Sequence, residues 1–208
     1  MKFKESLPKH AVELGFISSE DEYSDFIHKL SLAVTRTKLR KVAQKRDLLA
    51  IQAIRAIDDI DKVLNLFASR LREWYSIHFP ELDDLIREHT DYARVVAQLG
   101  NRENIDETSL RKLGFSEGRA RRIVENARRS MGAELSDFDI KPMQTLANIM
   151  LGLSKLREEL TSYVGSVMRE IAPNLTELVG PLLGARLLSL AGSLETLAKL
   201  PASTIQVL

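Results

Sequence analysis

Residues 47–80 read DLLAIQAIRAIDDIDKVLNLFASRLREWYSIHFP, and their spacing decides the fold. Alanines and larger apolar residues fall at Ala50, Ala53, Ile57, Ile60, Leu64, Phe67, Leu71 and Trp74, in alternating steps of three and four. That is an a/d heptad stripe, the mark of a helix burying one narrow seam against another helix. A second stripe runs Leu146, Ile149, Leu153, Leu156, Leu160, Tyr163 and Val167. Asp139 is its expected N-cap, with Pro142 in the first turn, where a missing N–H costs little. Pro80 and Pro173 should end the two helices near Phe79 and Ala172. Segments 47–79 and 140–172 are then matched rods of roughly 50 Å. The expected fold is all-α: a long antiparallel helical hairpin, in effect a coiled coil.

The remaining segments attach to that hairpin. Residues 80–138 form a small helical tip insertion, with an acidic helix over 81–99, a break at Gly100-Asn101 and short helices flanking Gly114. Residues 1–46 form an N-terminal helical linker, whose helix from about residue 20 is capped by Ser18 or Ser19. Residues 173–208 form a small helical C-terminal lobe, punctuated by Gly180-Pro181, Gly192 and Pro201.

Composition sets the bounds on chemistry. The 208 residues carry a net charge of +1, with 44% hydrophobic and 28% charged side chains and no cysteine. This describes an ordinary globular chain without disulfides, cysteine zinc sites or thiol nucleophiles. No apolar run is long enough to span a bilayer, and the first 30 residues lack a signal-peptide pattern. His10, His28, His78 and His89 stand apart, with no H-x-x-x-H pair. P-loop, G-x-S-x-G and G-x-G-x-x-G motifs are absent. Asp58, Asp59 and Asp61 cluster on the solvent side of the seam. Trp74 and Phe79 read as packing at the helix end, and His78 as a hydrogen-bonded residue rather than a catalyst. No catalytic, cofactor-binding or metal-binding residue is predicted.

Two basic features stand out. Residues 36–46 hold six Lys/Arg and no acid, and Lys38, Arg40, Lys41, Lys45 and Arg46 are candidates for phosphate or partner contact. Arg119, Arg121, Arg122, Arg128 and Arg129 bracket one tip helix and could also touch phosphate.

Asp47–Leu82 closely resembles the coiled-coil start of the Nop-domain proteins, core scaffolds of archaeal box C/D small ribonucleoprotein particles with nucleolar and spliceosomal relatives. A later run, Ala172-Pro173-Asn174-Leu175, Gly184-Ala185, Ala191-Gly192, Leu194, Leu197, Lys199 and Pro201-Ala202, resembles the opening of the Nop domain. The likeness covers about residue 20 to the end. It implies a non-catalytic scaffold for RNA-guided 2′-O-methylation. Implied partners are a second copy through the coiled coil, the methyltransferase fibrillarin, a kink-turn-binding ribosomal-type protein and box C/D guide RNA, with no membrane. S-adenosylmethionine is expected on fibrillarin, so this chain needs no cofactor. Cytoplasmic localisation follows from an archaeal reading and nucleolar from a eukaryotic one.

Against the family pattern, the chain starts just ahead of the coiled coil and stops at Leu208, ahead of a Gly-Ala-Glu-Lys-type segment. It is therefore expected to be a fragment, with 173–208 the start of the Nop domain. Arg186, Lys199, Pro201 and Ala202 are candidate contacts to RNA or the kink-turn protein. Gly184, Ala185, Ala191 and Gly192 read as sites of close helix approach. Leu48, Ile51, Ile54 and Val63, apolar but off the stripe, are the expected self-association surface. The rival reading is a stand-alone, non-specific nucleic-acid-binding helical protein using the 36–46 stretch.

Overall fold

The computed structural model describes residues 2–43 and 46–208, with side chains described for 7–19, 22–37 and 46–208. Lys38, Arg40, Lys41 and Lys45 of the basic stretch therefore lie outside the described side chains. Twelve α-helices and no strands appear among the described residues, so the chain is all-α.

Contacts divide the chain after Leu49. The first unit holds α1 (Lys2–Glu13) and α2 (Glu20–Ala43). Ser19 caps α2 as expected, its hydroxyl accepting the Glu22 amide at 3.2 Å. The second unit holds most of α3 (Arg46–Tyr75) and everything after it. Its tip comprises α4 (Glu81–Leu85), α5 (His89–Leu99), a 3-10 turn (Arg102–Asn104), α6 (Glu107–Lys112) and α7 (Glu117–Arg129). The second long helix, α8 (Asp137–Ile171), follows. The C-terminal lobe is α9 (Pro173–Val179), α10 (Pro181–Ala191), α11 (Leu194–Lys199) and α12 (Ala202–Val207).

At about 1.5 Å per residue, α3 is about 45 Å long and α8 about 52 Å. Their side chains line two clefts together and share an ion pair. Trp74 and Arg70 line one cleft with Leu146. Leu64 and Asn65 line another with Met150, Leu151 and Ser154. Asp61 accepts two bonds from the Arg157 guanidinium, at 2.5 and 3.2 Å. Residue numbers fall along α3 as they rise along α8, so the helices run in opposite directions across this stretch.

The α3 stripe is buried at Ala50, Ala53, Ile57, Ile60 and Leu71, but Trp74 is 41% exposed. On α8 the expected stripe is displaced. Met143, Ala147, Met150, Val164 and Met168 are buried, whereas Ile149 is 50% exposed, Leu156 43% and Tyr163 42%. One residue along a helix is a rotation of about 100°. The core-facing register is therefore the neighbouring one, which passes through Ser154, Arg157 and Thr161. Arg157 turns inward because Asp61 is there to receive it. The cap of α8 also differs. Ser136 is the N-cap and Asp139 is N3, closing a capping box. Pro142 consequently sits in the second turn, where its missing N–H forfeits one helical bond.

The expected single helix over 81–99 is two, with Ile86 extended between them. The cause is Arg72, distant in sequence. It pairs with Asp83, donates to the carbonyls of Ile86 at 2.9 Å and Arg87 at 2.7 Å, and stacks 4.5 Å over the Tyr92 ring. These bonds replace the helical ones that residues 86–87 give up.

The end of α3 is a packed junction. Phe79 and His78 are buried. His78 Nδ1 lies 2.9 Å from the Ala133 carbonyl, and Nε2 accepts the Arg102 amide at 3.0 Å. That pairing places the ring's N–H on Nδ1. Arg102 Nη1 donates to the carbonyls of His78 and Gly132. Glu81 receives the Ser130 hydroxyl at 2.6 Å and the Met131 amide at 3.1 Å. Burial alone would raise the Glu81 carboxyl, but these bonds together hold it below its ordinary value. A depressed carboxylate stabilises the fold above its unfolded pKa, and that stability disappears as pH falls through the folded value. Glu81→Gln should therefore flatten the acid limb of a stability-against-pH curve below roughly pH 4. A limb of unchanged steepness would show that Glu81 does not hold the loop.

Candidate interaction surfaces

The C-terminal lobe is tied to α3 by polar bonds. Arg186 Nε and Nη2 donate to Asp58 at 3.0 and 2.7 Å, and Arg55 Nε donates to Ser189 Oγ at 2.9 Å. The bonds from Asp58 and the charge of Asp61 keep Arg186 firmly protonated, above its usual value. Gly184 sits where α10 approaches its neighbours: an added Cβ would lie 3.2 Å from Met168 Cε and 3.4 Å from Leu175 Cγ. Ala185 is buried and Ala191 half-buried, while Gly192 is the left-handed C-cap of α10 at φ +83°. Lys199 is exposed and paired with Glu195 at 2.7 Å. Pro201 and Ala202 are exposed at the start of α12. Lys199, Pro201, Ala202 and Arg186 are all exposed, with Lys199 paired to Glu195 and Arg186 to Asp58.

The expected self-association set needs correcting. Residues 51, 54, 55 and 58 share one face of α3. Arg55 and Asp58 bond α10, so that face lies under the C-terminal lobe. Ile51 is accordingly 3% exposed and Ile54 fully buried. Leu48 and Val63 are half-buried. The long helices leave several large apolar side chains open: Leu49, Leu66 and Trp74 on α3, and Phe138, Ile149, Leu156 and Tyr163 on α8. Ile149, Leu156 and Tyr163 form a partly exposed line down α8 with a period of 3.5 residues, edged by half-buried Leu146, Leu153 and Leu160, of which Leu146 packs against the core. The sequence signal that would have found it is the neighbouring register, where Arg157 has a carboxylate partner on α3.

Of the basic stretch, Arg46 and Arg36 are exposed among the described side chains. In the tip, Arg121 is engaged by Glu117 and Glu107. A cleft of ≈ 400 Å³ between α3, α5 and α8 collects Asp61, Glu88, His89 and Arg157. Its Asp61 and Arg157 are paired with each other, and His89 Nδ1 accepts from Arg72 Nε at 3.4 Å. Among the described residues no cluster of His, Asp and Glu is placed to hold a metal, and no helix is long and apolar enough to cross a membrane.

Comparison with known families bears on these surfaces directly. The model of the Nop family, described as "snoRNA binding domain, fibrillarin", matches residues 56–208. The chain belongs to the Nop family. The match runs from the middle of α3 through the tip, α8 and the C-terminal lobe. Residues 1–40, read above as a linker, match the archaeal Nop5/56-related N-terminal domain. An uncharacterised NOP5 family protein of Methanocaldococcus jannaschii is 45% identical over 205 residues, covering 99% of this chain and 49% of the relative. Nucleolar protein 58 of Debaryomyces hansenii is 44% identical over 179 residues, covering 86% of the chain and 34% of the relative. Nucleolar protein 58 of Ajellomyces capsulatus is 46% identical over 180 residues, with 86% and 28% covered. The chain thus spans about half the length of its archaeal relative, and less of the fungal ones. As a Nop-family chain it is placed among ribonucleoprotein components.

Proposed function

We propose that this Nop-family chain is part of a non-catalytic assembly scaffold of box C/D ribonucleoprotein particles, which direct 2′-O-methylation of RNA. Two copies associate through the paired long helices. The rod of α3 and α8 sets the spacing between fibrillarin on one side and guide RNA with its kink-turn protein on the other. The chain itself holds no cofactor; S-adenosylmethionine belongs to the methyltransferase. Lys199, Pro201 and Ala202 face the kink-turn protein or RNA. The particle works in the cytoplasm of an archaeal cell, or the nucleolus if the source is eukaryotic.

The observation that carries this reading is the partly exposed apolar line on α8. Leaving Ile149, Leu156 and Tyr163 42–50% exposed is costly, at about 25 cal/mol per Å² of apolar surface. A rod that presents such a line is suited to being joined to something. The test is reconstitution of the full-length protein with guide RNA, kink-turn protein and fibrillarin. Methyl transfer to a matched RNA is expected with the intact scaffold, and should drop at least tenfold when residues 50–171 are replaced by a flexible linker. Undiminished transfer would remove the spacing role.

A further inference from the structure

We propose that the tip lobe holds the phosphate backbone of RNA along one flank of α7, through Arg119, Arg122 and Arg129. This extends the RNA-binding reading above to a second surface, and rests on it for the choice of ligand. The 13 residues of α7 sort into three faces. Ala120, Ile123, Val124 and Ala127 are buried against the tip core. On one flank Glu117 pairs with Arg121 at 3.2 Å, and Arg121 also reaches Glu107. The other flank carries positions 119, 122, 126 and 129, spaced i, i+3, i+7 and i+10: three exposed arginines and an asparagine. None of these three arginines forms an ion pair among the described residues, although Glu125 on the same helix is exposed, as is Asp84 on α4, which packs against α7. The Arg119 guanidinium instead rests 5.1 Å from the Phe115 ring centroid, and with Arg122 it borders a cleft against Leu85.

Sorted this way, α7 pairs Arg121 internally and leaves three of its other four arginines in a row, with exposed Arg128 on the opposite flank. The row covers about 15 Å at 1.5 Å per residue, enough to meet several successive phosphates of one strand. Guanidinium forks suit phosphate oxygens, which they bind in pairs. A protein partner would require an apolar centre for its interface, and this flank exposes none. Nor does it offer groups arranged to read bases, so contact should position RNA without selecting sequence. The family model named for snoRNA binding includes α7 in its span.

The test uses the whole chain and fluorescently labelled RNA, in single-stranded and duplex forms and in two unrelated sequences. Anisotropy is followed from about 50 to about 200 mM salt, a range over which phosphate contacts weaken sharply. Arg119→Gln/Arg122→Gln/Arg129→Gln, checked by its melting curve, should bind at least tenfold more weakly at low salt. Its slope of log affinity against log salt should flatten by about two to three, the value for three lost phosphate contacts. Both sequences should be affected alike. Unchanged affinity and slope would overturn the proposal, as would failure of the unmodified chain to bind at low salt. Displacement of RNA by polyglutamate as readily as by unlabelled RNA would also overturn it. Lys199→Glu serves as the separate reporter. If it releases RNA while the triple variant does not, the tip site falls and the C-terminal surface stands; the opposite pattern does the reverse.

Discussion

Gly132→Ala is expected to destabilise the second unit by about 3 kcal/mol, at the upper end for an overpacked position. An added Cβ would lie 2.1 Å from the His78 carbonyl oxygen and 2.5 Å from its carbon. Those are backbone atoms, and they are held where they are. The same carbonyl accepts from Arg102, the Ile77 carbonyl accepts the Ala133 amide at 2.8 Å, and the buried His78 ring bridges Ala133 and Arg102. Relief requires lifting residues 130–133 away, which breaks several of these bonds and strips Glu81 of the Met131 amide. Each bond left unmade in a buried junction costs about 1–3 kcal/mol. For a unit of this size, the loss corresponds to a melting point lower by about 6–12 °C. Gly118→Ala is the control. It stands in the first turn of α7 with nothing within 4 Å of an added Cβ, so it should be neutral or stabilising by up to about 1 kcal/mol. If both variants melted together, the loop would be movable and the junction would not be what fixes the tip.

The same junction marks what a sequence can and cannot show. His78 and Ala133 are 55 residues apart, and His78 and Arg102 are 24 apart. No local pattern announces that a histidine will have both ring nitrogens occupied by distant backbone. The break between α4 and α5 was hidden for the same reason, since the arginine causing it lies on α3. Local signals were legible. The steps of three and four on α3 placed its buried seam from Ala50 to Leu71. Pro173 ended α8, Gly100 ended α5, and Gly114 parted α6 from α7. The phase of α8 was misjudged because two adjacent registers share one period. The more apolar was the natural choice for the inward face, and the structure turns the other one in. Among the candidate contacts, Arg186 is paired with Asp58 across 128 residues, a partner no local pattern shows, whereas Lys199 pairs with Glu195 one turn away. Ile51 and Ile54 looked free only while the position of the C-terminal lobe was unknown.

That correction yields the second large expected effect. If two copies associate through the outward stripe of α8, then Ile149→Glu/Leu156→Glu should raise the dimer dissociation constant by roughly a thousandfold, about 4 kcal/mol. Each substitution removes an apolar contact and leaves a carboxylate to be desolvated without a partner. Both positions are half-exposed in the single chain, so helicity and melting at low concentration should change little. Ile51→Glu/Ile54→Glu should behave in the opposite way. Its carboxylates would be forced under α10, and the result should be loss of the folded C-terminal lobe rather than a clean monomer. Sedimentation equilibrium separates the two, with circular dichroism reporting the fold. A double variant at 149 and 156 that remains a dimer would remove the stripe as the contact. A soluble, folded monomer from the 51/54 variant would restore the surface first inferred from the sequence. The contrast follows from one rotation of about 100°, which turns the polar side chain of Arg157 toward Asp61 and the apolar row toward whatever meets the rod.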